Sequence, residues 1–295
     1  RQRQMCIRDR LYKEHPEKIK LRYVYRKFNI DFPTLQKDYR DFIKSPIDLS
    51  KAYSSKYIIG LCLTYHVNYG LSYRQTASIL KDIHEVSISY KTVENYCKAA
   101  SSIVHPLLEF YPYELSDMIA ADETYIKVLG KTNYIFFWFD TIKKIVTSYR
   151  VFAKRDSLSS IKAAYSTLVK YNTLPESLKV ISDGNPIYNV AVQYWSQNGL
   201  SFQLYQVIGL TNQDDISKEY RSQKQIIERF NRTLKYYYRP KGGFSSLDNA
   251  NSYMVLFATY NNFLRPNKAL NWNTPVQLDE LNGISNTVSY THLTL

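Results

Sequence analysis

The feature that most constrains this chain is a run of three strand-like segments followed by a strict alternation of helix and strand. Asp117–Gly130, Asn133–Ile142 and Ile145–Ala153 are rich in β-branched and aromatic residues with short turns between them, which predicts three consecutive strands. Ser157–Tyr171 then carries apolar residues at helical spacing: Leu158, Ile161, Ala164, Tyr165 and Leu168. Leu178–Ser182 reads as a short apolar strand, Pro186 to Gln197 as a helix, Ser201–Ile208 as a fifth strand and Ile216–Tyr238 as a long helix. Strands joined through a helix return in the same direction, so the order βββαβαβα requires some parallel pairing. The expected fold class is α/β, a mixed five-stranded sheet flanked by helices.

Upstream the period is helical from about Leu49 to Leu108. Ser72-Tyr-Arg-Gln75 fits a capping box that opens a helix through about Lys81, and Ser89 opens a second running to about Ile103. His105-Pro106 and Tyr111-Pro112 are expected to end this region, because a residue before proline disfavours helix. The domain expectation is therefore a basic segment over 11–48, a helical region over 49–112, the α/β part over 113–243 and a helical extension over 244–286. Residues 1–10 and 287–295 read as translations of the two strands of a transposon-end sequencing adapter, and are expected to be non-native.

Lys and Arg outnumber Asp and Glu by 39 to 26, a formal charge of +13 that points to a polyanionic partner such as nucleic acid or an acidic membrane surface. No apolar run approaches the roughly 18 residues of a membrane span. Three cysteines cannot build a disulfide framework, which suggests a reducing cytoplasm. Cys62 and His66 stand one helical turn apart, but there is no CxxC or HxxxH pair to support a zinc site. A Gly-x4-Gly-Lys phosphate loop is absent, so no nucleotide cofactor is expected. None of the five histidines has Arg three residues on, and there is no His-apolar-His. The usual marks of tyrosine recombinases and of single-strand nickases are therefore missing.

Two carboxylates interrupt apolar runs, in Met118-Ile-Ala-Ala-Asp122 and Val180-Ile-Ser-Asp183. A carboxylate at the edge of a core is costly unless compensated, and a hard cation with oxygen ligands compensates it well. Each also reads as a simple strand end or turn. On the long helix Tyr220, Ile227, Phe230, Leu234 and Tyr237 form one stripe, and Arg221, Lys224, Glu228, Arg232 and Lys235 form another. Glu228 is then an acid on a basic face: either a solvated partner of Lys224 and Arg232, or a third metal ligand among cations that grip phosphates.

Asp122-Glu-Thr-Tyr-Ile-Lys127, Ser182-Asp-Gly184, Ile227-Glu-Arg-Phe-Asn-Arg-Thr-Leu-Lys235 and Tyr260-Asn-Asn-Phe-Leu-Arg-Pro-Asn-Lys-Ala-Leu270 together resemble the core of DDE insertion-sequence transposases, relatives of retroviral integrases. The resemblance implies an RNase H-like fold in which Asp122, Asp183 and Glu228 are catalytic and bind two Mg2+ ions, with Mn2+ able to substitute. It implies cleavage at the ends of a mobile element, then transfer of the freed 3′-hydroxyl into target DNA by in-line displacement. Lys235 matches the family's DNA-contacting basic residue. Glu219 competes with Glu228 on spacing from Asp183, but has Ile226 where a basic residue is expected seven positions on. Asn267 departs from the histidine that relatives often carry after Arg-Pro.

The helices opening at Ser72 and Ser89 resemble the helix-turn-helix that precedes this core in related transposases. The second would enter the major groove and offer Lys91, Thr92, Asn95 and Lys98 to DNA, with Val93, Cys97 and Ala100 inward. The long connection Asp82–Ile88 keeps a plain helical bundle open. Beyond the long helix, Tyr236-Tyr-Tyr-Arg-Pro-Lys-Gly-Gly243 mixes aromatics with Arg239 and Lys241, and suits strand contact or a packed turn. The implied partners are double-stranded DNA and further copies in a homodimer or larger synaptic assembly. The implied setting is the prokaryotic cytoplasm, at the nucleoid when bound. The rival expectations are a non-catalytic DNA-binding copy and a nuclease of the same fold.

Overall fold

In the computed structural model the described residues are 46–209, 214–281, 283–284, 288–290 and 293. The first ten residues and nearly all of the basic segment over 11–48 lie outside them. The chain divides into two compact units: Pro112–Lys235, and the residues up to Tyr111 together with those from Tyr236 onward.

The Pro112–Lys235 unit is built on five strands: β1 (Met118–Val128), β2 (Lys131–Asp140), β3 (Val146–Phe152), β4 (Lys179–Ser182) and β5 (Gln203–Gln206). They lie in the order β3-β2-β1-β4-β5. The first three pair antiparallel, β4 runs parallel to β1, and β5 runs parallel to β4. This is the mixed sheet expected from the sequence. Leu129 and Gly130, both at positive φ, make the two-residue turn between β1 and β2, a geometry matched to the twist of paired strands.

Ile135–Phe139 of β2 are all buried, as a strand covered on both faces requires. Phe137 and Phe139 each lie 5.0 Å from the Phe230 ring of the long helix. On the other face Phe136 meets Phe152 and Trp138 meets Phe202. The crossovers from β3 to β4 and from β4 to β5 carry helices Ser157–Leu168 and Pro186–Gln197, which pack through stacked Tyr165 and Trp195 at 5.4 Å. Asp156 caps the first helix through the Ser159 amide at 2.9 Å, and Asn185 caps the second ahead of Pro186.

Asp140, at the end of β2, organises a turn. It is fully buried and accepts from the Ser116 amide (2.6 Å) and hydroxyl (2.8 Å) and from the amides of Ile142 (2.9 Å) and Lys143 (2.7 Å).

The other unit is helical: α1 (Lys56–Leu63) continuing into a π-helical turn, α2 (Tyr73–His84) and α3 (Tyr90–Phe110). In chain order the two crossover helices are then α4 and α5, the long helix Asp215–Tyr238 is α6, and Leu247–Thr259, which packs on α3, is α7. The Ser72 capping box forms as expected. Two local expectations are corrected. Helix α2 does not stop near Lys81: Tyr65 Oη pairs with His84 Nε2 at 2.8 Å, and Glu85, at φ 57°, supplies a left-handed cap. The connection to α3 is accordingly short. Nor does Pro106 end α3, which runs through it to Phe110. Val104, His105, Leu107 and Leu108 on either side are all buried, and that burial outweighs the local cost of proline.

Tyr290, in the segment read as adapter-derived, is buried and donates to Asn68 Oδ1 at 2.7 Å.

Candidate active site

The register of β1 on β4 sets the first two carboxylates. Ala120 lies opposite Ile181 at the last paired position, so two residues further along these parallel strands Asp122 and Asp183 stand side by side. The position is the end of β4, where open α/β sheets gather ligands. Asp183 Oδ1 accepts the Asn185 amide at 3.0 Å, and Gln206 Nε2 bonds the carbonyls of Asp183 (2.9 Å) and Asn185 (3.1 Å), fixing the turn that presents the carboxylate.

A third acid, unassigned from the sequence, completes the cluster. Asp122, Glu123 and Asp183 each offer one oxygen, all within 4.8 Å of one another. Glu123 is held from the α4–α5 side. Arg155 pairs with its Oε1, Asn185 Nδ2 donates to the same oxygen at 3.1 Å, and Tyr188 Oη donates to Oε2 at 2.5 Å. Arg155 also reaches Asp183 Oδ2 at 3.9 Å, tying two carboxylates through one guanidinium. Burial and the neighbouring Glu123 charge push the Tyr188 hydroxyl well above the usual range, so it stays a donor.

Asp122 is held from the other side by α6. Lys224 Nζ bonds its Oδ1 at 3.1 Å and Asn231 Nδ2 its Oδ2 at 2.9 Å. Burial raises the Asp122 pKa, and the Lys224 charge opposes that rise. Glu228, one turn beyond Lys224, places Oε1 3.8 Å from the same ammonium. Two of the three acids expected from the motifs thus meet on one cation, and the third stands beside Asp122 across the β1–β4 seam. Glu219 is exposed and half a helical rotation away from Glu228. The donors are all hard carboxylate oxygens, a set suited to a divalent cation such as Mg2+.

Residues 116–266, about half of the chain, match the family described as DDE domain, of the IS240 type. The chain belongs to this DDE-domain family. It is also 28% identical over 138 residues to the transposase for insertion sequence-like element IS431mec of Staphylococcus aureus, covering 47% of this chain and 59% of that protein. The chain therefore spans less than two thirds of the curated relative it matches. Among solved structures, the HTLV-2 integrase catalytic core domain in complex with magnesium aligns at 18% identity over 55% of this chain and 95% of that one, with a TM-score of 0.33. The catalytic core domain of BIV integrase aligns at 17% over 59% and 99%, with a TM-score of 0.35.

The basic residues expected to meet DNA differ in exposure and in their partners. Arg232 is exposed on α6, and Lys235 lies 4.4 Å over the ring of Tyr125, itself 54% exposed. Lys224 instead turns inward to Asp122. In the helical unit Arg239 is exposed, whereas Lys241 is enclosed and donates to the carbonyls of His66 (2.8 Å) and Leu71 (2.9 Å). On α3, Val93, Cys97 and Ala100 are buried as expected. Lys91 and Lys98 both pair with Glu94 at 3.0 Å, Thr92 Oγ1 bonds Ser89 Oγ at 2.9 Å, and Asn95 is half-buried.

Among the described residues no helix is long and apolar enough to cross a membrane.

Proposed function

We propose that this chain is the catalytic part of a DNA transposase. It cuts the ends of its element and joins the freed 3′-hydroxyls to target DNA, with Asp122, Asp183 and Glu228 holding two Mg2+ ions (or Mn2+) at the reacting phosphate. The observation that carries the reading is the convergence of Asp122 with Asp183 at the β1–β4 seam, and of Asp122 with Glu228 on one ammonium. Bound divalent ions would polarise the phosphate and make an attacking hydroxyl more acidic at neutral pH.

The protein's own contribution is positional. Asp122 and Asp183 extend from a rigid sheet, and Glu228 from a helix clamped to that sheet by Phe230. Arg232 and Lys235 lie on the same helix, where they would hold DNA phosphates and keep the scissile bond in line. Joining needs no covalent protein intermediate: the 3′-oxygen forms a bond to phosphorus as the target's own 3′-oxygen leaves. Helices α2 and α3 would read DNA through the α3 N-terminus, and the segment 236–243 that follows α6 would stack on a DNA strand. The working form would be a homodimer or larger assembly on DNA, in a prokaryotic cytoplasm.

The test is Asp183→Asn in a full-length protein with Mg2+ or Mn2+. Loss of both end cleavage and joining supports the assignment, and unchanged activity overturns it. Cutting that never proceeds to joining would mark a nuclease. DNA binding without either reaction would mark a non-catalytic copy.

A further inference from the structure

The sequence places Lys224 among the cations of α6 that would face DNA, yet its side chain turns in to the acidic cluster. The residue is 7% exposed, and its ammonium lies 3.1 Å from Asp122 Oδ1 and 3.8 Å from Glu228 Oε1. Asn231, two turns on and also buried, takes the other Asp122 oxygen. Both oxygens of this carboxylate are therefore engaged by α6.

We infer that Lys224 is a tethered counter-ion of the metal site: it holds Asp122 and Glu228 together before a divalent ion binds, and the ion must displace it. This rests on the metal-site reading given under Proposed function.

The argument is electrostatic. Asp122, Glu123, Asp183 and Glu228 crowd one region, and without compensation their mutual repulsion would push the α6 acid away from the sheet. Arg155 compensates the Glu123–Asp183 side, at 3.9 Å from Asp183. Lys224 alone among the described residues bonds Asp122 while facing Glu228. Lysine suits this task because its compact ammonium on a flexible stem can leave a carboxylate without dismantling a bidentate fork. A divalent ion approaching Asp122 meets that ammonium as a like charge within a few ångströms, in partly dry surroundings where such repulsion is weakly screened. Metal entry is then an exchange of one cation for another. The displaced ammonium stays on α6, on the side where the reacting phosphate would lie, so one residue would serve the carboxylates first and DNA second.

The experiment measures Mn2+ binding to the metal-free full chain by calorimetry and electron paramagnetic resonance, without DNA. Lys224→Met is expected to bind Mn2+ about tenfold more tightly than the unmodified chain, because a like charge has been removed beside the ligands. Lys224→Arg, which keeps the charge and adds a bidentate fork, should bind Mn2+ no more tightly than the unmodified chain. The rise in melting temperature on adding Mn2+ should be larger for Lys224→Met, which a merely structural lysine would not produce. If that variant does not fold, amine labelling of the unmodified chain decides: Mn2+ should raise the labelling rate of Lys224 several-fold. Equal or weaker Mn2+ binding by Lys224→Met, or labelling that Mn2+ leaves unchanged or slows, overturns the inference. Asp183→Asn separates the two levels. If it binds Mn2+ as well as the unmodified chain, the metal-site reading fails. If it loses Mn2+ while Lys224→Met gains nothing, only the counter-ion role fails.

Discussion

Tyr188 Oη donates to Glu123 Oε2 at 2.5 Å, on the sheet face opposite the helix that holds Asp122. Adjacent residues of one strand are thus fixed from opposite sides, Asp122 by Lys224 and Asn231, Glu123 by Tyr188, Asn185 and Arg155. Removing the Glu123 carboxylate strands a buried tyrosine and half of an ion pair. Glu123→Ala is expected to lower unfolding stability by about 1–3 kcal/mol, measured by urea denaturation. Glu123→Gln, whose one amide oxygen can still accept from Arg155 and Asn185, should cost less in stability while weakening Mn2+ binding.

Asp140 tests whether every buried acid of this sheet belongs to the site. Two of its four acceptor contacts are to the turn that follows it and two to Ser116 ahead of β1, so Asp140→Ala is expected to destabilise the chain by about 2–4 kcal/mol by orphaning those donors. Asp140→Asn should leave Mn2+ affinity unchanged. A large loss of affinity would draw Asp140 into the metal site.

His66 gives the helical unit an acid limit. Its ring is 2% exposed, Nδ1 lies 2.7 Å from the Leu71 carbonyl, and Nε2 has no partner. Burial, then the Lys241 charge, holds its pKa well below 6.5, against the opposing Leu71 bond. The unfolded chain therefore binds a proton that the folded chain rejects. Stability from this residue is present above about pH 6.5 and is lost as pH falls below it. His66→Phe should flatten that acid-side slope in melts between pH 7.5 and about 5, a window set by the unperturbed histidine value. The Leu71 carbonyl would keep Lys241 as its donor.

Glu94 restrains two of the lysines expected to contact DNA. Burial works against its ionisation, but Lys98 and Lys91 outweigh that and hold its carboxyl below the usual range. Glu94→Gln frees both ammonium groups. Affinity for duplex DNA should rise, and the slope of log affinity against log salt should steepen by about one to two phosphate contacts. An unchanged slope would remove the α3 N-terminus from the DNA interface.

The order of elements was legible because the hydrophobic period changes cleanly at Pro112, and α5 begins and ends at the predicted residues, Pro186 and Gln197. Asp122 and Asp183 stood out because each terminates an apolar run. Glu123 did not, since strand neighbours point to opposite faces and its partners come from segments far apart in the chain. Lys224 was readable as basic but not as inward: on a helical wheel it belongs with Arg221 and Arg232, and only the position of Asp122 turns it. The signal for Asn231 was equally faint, a polar residue two turns from Lys224 on the buried side of α6. Pro106 shows the limit of local rules, since a helix buried on both sides of it tolerates the missing amide.

The pairing of Ala120 with Ile181 has an evolutionary corollary. A one-residue slip there reverses which side of the sheet Asp183 addresses, and a one-residue insertion within α6 ahead of Glu228 swings that acid by about 100°. The stretch between β5 and α6 is under neither constraint, because residues added ahead of a helix do not alter its phase. Descendants of this chain can therefore drift in the distance separating Asp183 from Glu228 while β4 and the first turns of α6 stay fixed in length.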